Sequence, residues 1–274
     1  MNTMTISLGL FLTACSQKQN STSEDSSPEN NTSENTATGE LFIGHSFFKP
    51  FAENMDSAIS IAGLEPRSQH VVFSGGASGA PQALWENEEK KAEIQEHLDT
   101  GEIGLFVMTY EPTYPSTEGY ISWIDYALSN NPNTSFVLAL PWGDFPAEYS
   151  SIEEYSSTWQ GGHDTMWDEL LQTLQSTYPD NDFSCIPYGQ SAAELGTLYF
   201  TDSLSDVSSL IGNEQESIFK DQKGHAGDIL VDLGTLVWAA TLYDIEPSED
   251  LLSKSYEADL VEIANDILDG HEEH

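Results

Sequence analysis

The sequence predicts an α/β protein built on an open, parallel sheet covered by helices on both faces, and three observations predict it. Its apolar runs are continuous rather than alternating: LFIG, HVVF, IGLFVM and FVLAL. Strands buried on both faces have this pattern. Segments of helical character separate the runs, as in repeated strand–helix units. The first two runs also end in glycine-containing turns, GHS and SGG, at the carboxyl ends of strands where such sheets place their chemistry.

ELFIGHS reads as the first strand and its turn, followed by a helix from Phe48 to about Gly63. HVVFSGG is the second strand, and a charge-rich helix from about Pro81 to Thr100 follows it. IGLFVMTY, a helix around Gly119 to Ser129, and SFVLALPW come next. A long amphipathic helix from about Ile152 to Tyr178 leads into FSCIPYG, and another helix begins near Ser191. Ile229, Leu230, Leu233, Val237 and Ala240 repeat at helical spacing, which places His225 in the loop before a core-packed helix. A last helix, about Glu249 to Leu268, precedes a polar tail holding His271 and His274.

The ends and the charge bound the surroundings. Residues 1–14 read as a leader: the apolar run Ile6 to Ala14 is too short to cross a bilayer, which takes ~20 residues as a helix. Leu12-Thr13-Ala14-Cys15 resembles the lipobox of bacterial lipoproteins, which implies acylation of Cys15 and attachment to a membrane outside the cytoplasm. Ser16 beside it points to the outer membrane of a Gram-negative cell. One departure is that Met1 to Thr5 carries no Lys or Arg. Residues 15–39 are almost devoid of apolar side chains and read as a disordered tether, with one domain over residues 40–270. Forty-six acidic residues against eight basic ones give a net charge of -38. Such a surface repels phosphates, so a nucleic-acid partner is excluded; the acidity reads as a solvation device.

A serine after a strand is ordinarily a helix cap. To act as a nucleophile it needs a base within reach, an acid to orient that base, and N–H donors aimed at the oxyanion. LFIGHSF, FSGGAS and DQKGH carry residues of each kind in order. These three blocks resemble the SGNH/GDSL hydrolases, and the likeness runs from about residue 41 to 268. The first block, Gly-x-Ser-Phe, is similar to that of a poorly characterised bacterial branch. The resemblance implies a three-layer α/β/α, flavodoxin-like fold and ester hydrolysis. It implies Ser46 as nucleophile, His225 as base and Asp221 as the orienting acid. The oxyanion donors are the N–H groups of Ser46 and Gly75, with Gly76 as the alternate. No cofactor or metal is implied. The expected substrate is an ester, with an acetylated carbohydrate as the guess by resemblance.

Two features depart from the family. It spaces Asp and His as Asp-x-x-His, whereas one further residue intervenes in Asp221-Gln222-Lys223-Gly224-His225; Gly224 offers a way to absorb it. The family also has Gly-x-Asn-Asp after the third strand, where this chain reads MTYEPTYP. An oxyanion donor is therefore missing, with the hydroxyls of Thr109 and Tyr110 as replacements to consider and Glu111 opposing an oxyanion. Both departures favour a rival expectation, a binding lipoprotein that kept the fold but lost turnover. Gly161-Gly162-His163-Asp164 lacks a second cluster of ligands, so a loop and helix cap is expected there rather than a metal site. Cys185 reads as a buried strand residue. Trp123 and Trp167 read as core, and Trp142 as a residue on the active-site side.

Overall fold

The computed structural model describes residues 38–181 and 183–272. Five strands, β1 (Gly39–Gly44), β2 (Ser68–Phe73), β3 (Ile103–Thr109), β4 (Ser135–Ala139) and β5 (Phe183–Ile186), pair in parallel in the order β2-β1-β3-β4-β5. Helices flank the sheet, giving the parallel, helix-covered sheet expected from the continuous apolar runs and the three-layer α/β/α, flavodoxin-like form implied by the resemblance. Every residue of β1 is buried, whereas in β2 only Val72 is buried and Ser68 and Phe73 at its ends are exposed, as a central and an edge strand should be.

On one face, α1 (Lys49–Ile61) packs against α8 (Asp228–Tyr243), and α7 (Gly189–Phe200) and α9 (Leu260–Glu272) pack beside α8. On the other, α2 (Pro81–Glu86), α3 (Glu88–Leu98) and α4 (Glu118–Asn130) pack together. Prolines at the starts of α1 and α2 fit positions where no N–H is needed. Phe42 of β1 stacks on Trp238 of α8, which also meets Phe48, Phe51 and Tyr188 edge-on or stacked. Each such ring contributes about 1.5–3 kcal/mol through burial. This aromatic cluster fixes α1, and with it the turn after β1.

Several boundaries differ from the sequence expectation. The helix expected over Pro81 to Thr100 is two helices, because Asn87 is extended and its side chain caps α3 by accepting from the Lys90 N–H at 3.1 Å. The helix expected over Ile152 to Tyr178 is α5 (Ile152–Thr165) and α6 (Gln172–Thr177) with a π-helical stretch, Met166–Leu171, between them. α7 starts at Gly189, two residues before the expected Ser191. The last helix starts at Leu260 rather than Glu249; Glu249–Leu251 is a lone 3-10 turn. Asp259 caps it, accepting from the Glu262 N–H at 3.0 Å. His271 lies within α9 rather than in a tail. Two short parallel strands, β6 (Ser209–Ile211) and β7 (Ser217–Phe219), were not anticipated, and β7 delivers the chain to the His225 loop. The leader over 1–14, Cys15 and residues 15–37 of the tether expected over 15–39 lie outside the described residues, as does His274; Gly39, the last residue of that expected tether, is buried and opens β1. Among the described residues no helix is long and apolar enough to cross a membrane.

Gly79 lies in a 3-10 turn (Gly76–Gly79) pressed against the end of β1: a Cβ there would stand 2.5 Å from Gly44 O and 2.6 Å from His45 Cα. Both atoms are backbone and cannot swing aside. Gly79→Ala is therefore expected to cost about 1–3 kcal/mol in urea unfolding, the usual penalty for overpacking. An unchanged midpoint would show that the turn after β1 is not held by this contact.

Candidate active site

The turn carrying Ser46 is built by its neighbours. The carbonyl of His45 accepts from the N–H groups of Phe48 and Lys49 at 3.2 and 3.1 Å, turning the chain from β1 into α1. The His45 ring is buried beneath this turn. Its Nδ1 accepts from the Phe47 N–H at 3.2 Å, so the proton sits on Nε2, which faces Thr109 Oγ1 at 3.2 Å and Tyr110 O at 3.4 Å. A neutral imidazole thus ties the serine turn to the end of β3. Burial holds its pKa below the ordinary histidine value, against the opposing charge of Glu111. Nothing in the sequence marked this role for His45.

The loop after β7 presents the other two residues. Lys220 N–H donates to His225 O at 2.8 Å, closing the loop. One oxygen of Asp221, Oδ1, accepts from the N–H groups of Lys223, Gly224 and His225 at 3.0, 3.1 and 3.2 Å. The other, Oδ2, lies 2.6 Å from His225 Nδ1. Partial burial of Asp221 favours its neutral form, but the bonds from the His225 ring and these N–H groups prevail and hold the carboxyl below its usual range. The inserted residue is absorbed at Gly224, whose φ of +102° suits glycine alone. Two bonds fasten the loop to the segment after β4: Trp142 Nε1–H to Gly224 O at 2.8 Å, and Phe145 N–H to Lys223 O at 2.9 Å. Phe47 stacks on Trp142 and meets the His225 ring in a T-shaped contact, both at 5.1 Å between centroids.

These constraints bring His225 Nε2 to 2.8 Å from Ser46 Oγ. Ser46, His225 and Asp221 therefore form one hydrogen-bonded line, with Nδ1–H donating to the carboxylate and Nε2 free to accept the serine proton. A cavity of about 240 Å³ opens at Ser46, lined among others by Phe47, Gly76, Glu111, Trp142, Asp144 and Lys223. A larger hollow of about 440 Å³ beside the start of α9 has no such line of groups. Of the two glycines after β2, Gly76 lines the cavity at Ser46 and Gly75 does not. Among the described residues, the N–H groups of Ser46 and Gly76 meet no acceptor.

Thr109, one of the replacements considered for the missing asparagine, is buried, and its hydroxyl is engaged with His45 and Tyr110 O. Tyr110 is likewise buried and does not line the cavity. Glu111 does line it. Trp142 is a buried prop for the His225 loop and contributes to the cavity wall. Trp123 is fully buried core, its indole donating to Pro81 O. Cys185 is a free, buried thiol whose ionisation is pushed up by burial. The side chains of His163, Asp164 and Trp167 lie outside the described residues. Among the described residues no group of three or more His, Cys, Asp and Glu side chains converges as a metal site would.

No family model and no curated protein matches the chain. Among solved structures it is similar to a DUF4886 family protein from Bacteroides uniformis, with a TM-score of 0.54 and 14% identity over 84% of this chain and 94% of that one. At that identity the likeness concerns the fold alone.

The His45 ring sets a pH dependence of stability. Its pKa is lowered on folding, so the unfolded chain binds the proton first; stability is full above about 6.5 and falls as pH drops below that value. Asp221 acts in a more acidic window, its contribution being lost only as pH falls below the ordinary aspartate range of about 3.9. His70, with a pKa lowered by burial and then by His97, shares the direction of His45, so a variant is needed to separate them. Urea midpoints between pH 7.5 and 5.5 are expected to fall less in His45→Gln than in the wild type. Equal declines would show that the buried ring is not the acid-sensitive group.

Proposed function

We propose that this chain is a serine ester hydrolase of the SGNH/GDSL type, attached to a membrane outside the cytoplasm through an acylated Cys15. The observation that carries the reading is the continuous line from Ser46 Oγ through His225 to Asp221, with contacts of 2.8 and 2.6 Å. In the first step Ser46 Oγ forms a bond to the acyl carbon while its proton passes to His225 Nε2. The carbonyl electron pair moves onto oxygen, where the N–H groups of Ser46 and Gly76 bind it. Collapse of this intermediate breaks the bond to the alcohol, which takes the proton from His225. Water repeats the sequence on the acyl-serine. Asp221 stays ionised throughout and stabilises the imidazolium.

The cavity of about 240 Å³ is below the ~300–1,000 Å³ of sites for larger ligands. The substrate class is an acyl ester, with an acetylated carbohydrate as the expectation by resemblance. A rival reading is a binding lipoprotein without turnover. The engagement of Thr109 with His45, which takes up the hydroxyl at the end of β3, favours it.

Hydrolysis of nitrophenyl acetate by residues 38–274 separates the two. Ser46→Ala and His225→Gln are each expected to lower kcat at least ~10³-fold, as for members of a triad acting as a unit. Asp221→Asn is expected to lower it less, because the loop keeps its shape while the imidazolium loses its counter-charge. Equal rates for wild type and Ser46→Ala would remove the nucleophile, and no rate above background would favour the binding protein.

A further inference from the structure

The chain has only eight basic residues, and one of them stands over the candidate site. Lys223 lines the cavity at Ser46, and its ammonium lies 3.6 Å from the point where a Cβ on Gly76 would sit. That is beside the glycine N–H proposed as an oxyanion donor. The position is set from the root of the side chain upward. Its N–H is held by Asp221 Oδ1, its carbonyl by the Phe145 N–H, and its ammonium by Asp144 Oδ2 at 2.8 Å. The ammonium also lies 5.5 Å from the centroid of the Phe145 ring. The residue that carries it belongs to the longer Asp221–His225 spacing, so the same insertion that departs from the family pattern brings a cation to the mouth of the cavity.

We infer that Lys223 is a further catalytic residue, its ammonium stabilising the oxyanion in place of the donor missing after β3. The inference rests on the hydrolase reading above. Three observations favour it over a loop tie alone. Apart from the neutral His45, Lys223 is, among the described residues, the one basic residue lining the cavity. After β3, Thr109 is turned to His45, and the following loop brings to the cavity Thr113 and Glu111, whose carboxylate accepts the Thr113 N–H and whose charge opposes an oxyanion. Asp144 and Glu111 together outweigh the lysine in the substrate-free cavity, so an anionic substrate gains little from it. A negative charge that develops only beside Gly76 gains more, because the cation is already held there. Such an interaction appears in the transition state and not in the ester, so it acts on kcat rather than KM. The proton in transit belongs to Ser46 and His225.

The side chain is about one-third exposed, and solvent screens its charge, so the effect falls below the ~10²–10³ of a fully enclosed donor. Lys223→Met is expected to lower kcat for nitrophenyl acetate ~10–100-fold with KM changed less than ~3-fold, and Lys223→Arg to recover most of that loss. Asp144→Asn breaks the same ion pair but leaves the cation. A loop tie predicts equal losses in Lys223→Met and Asp144→Asn, whereas the oxyanion role predicts a loss at least ~10-fold larger for Lys223→Met. Thermal unfolding of each variant shows whether the domain remains folded. Equal losses, or no recovery with arginine, would overturn the role of Lys223 while leaving the triad intact. A wild type without Ser46-dependent hydrolysis would overturn both.

Discussion

The contact between Ser46 Oγ and His225 Nε2 joins two loops 179 residues apart, and the arrangement around it serves to make that contact unavoidable. Each loop alone has many conformations, and closing so long a separation carries an entropic cost that a single hydrogen bond of about 1 kcal/mol does not offset. The fold offsets it elsewhere. The aromatic cluster of Phe42, Phe48, Phe51 and Trp238 fixes β1 and α1, while Trp142 and Phe145 fasten the His225 loop to the end of β4. The two side chains then meet because their supports leave them nowhere else to be.

Three strand ends supply the site: β1 gives Ser46, β2 gives Gly76, and β4 gives Trp142 and Asp144. All lie at the carboxyl edge of a parallel sheet of order 2-1-3-4-5, whose switch point falls between β1 and β3. His45 crosses that switch point, bridging the β1 turn to Thr109 and Tyr110 of β3. The residue between glycine and serine is thus a structural tie, and the hydroxyl that seemed available at Thr109 is consumed by it.

Much of this was legible in the sequence, and the reasons differ by element. The strands were readable because strands buried on both faces must be apolar throughout, and Ser46, Asp221 and His225 because LFIGHSF and DQKGH resemble blocks of the SGNH/GDSL hydrolases. The break at Asn87 and the start of α9 at Asp259 carried capping signals that were passed over, Asn87 before two glutamates and Asp259 three residues before Glu262. The π-helical stretch after α5 had no signal in the pattern of apolar residues. Adjacent Gly75 and Gly76 offer the same chemistry in the sequence, and only the fold distinguishes the one that lines the cavity. The role of His45 was hidden because a buried neutral histidine and an exposed one read alike. Lys223 had the clearest missed signal, a rare cation inside the one segment whose spacing departs from the family.

The acidic surface and the site are separate matters: a charge of -38 bears on solvation, whereas the line of three side chains carries the proposed chemistry. The most direct test of that line is covalent. Treatment with a fluorophosphonate, followed by mass mapping of the peptides, is predicted to find one adduct on Ser46 in the wild type and none in His225→Gln. An adduct on another serine, or labelling of Ser46 that survives loss of the imidazole, would contradict the account.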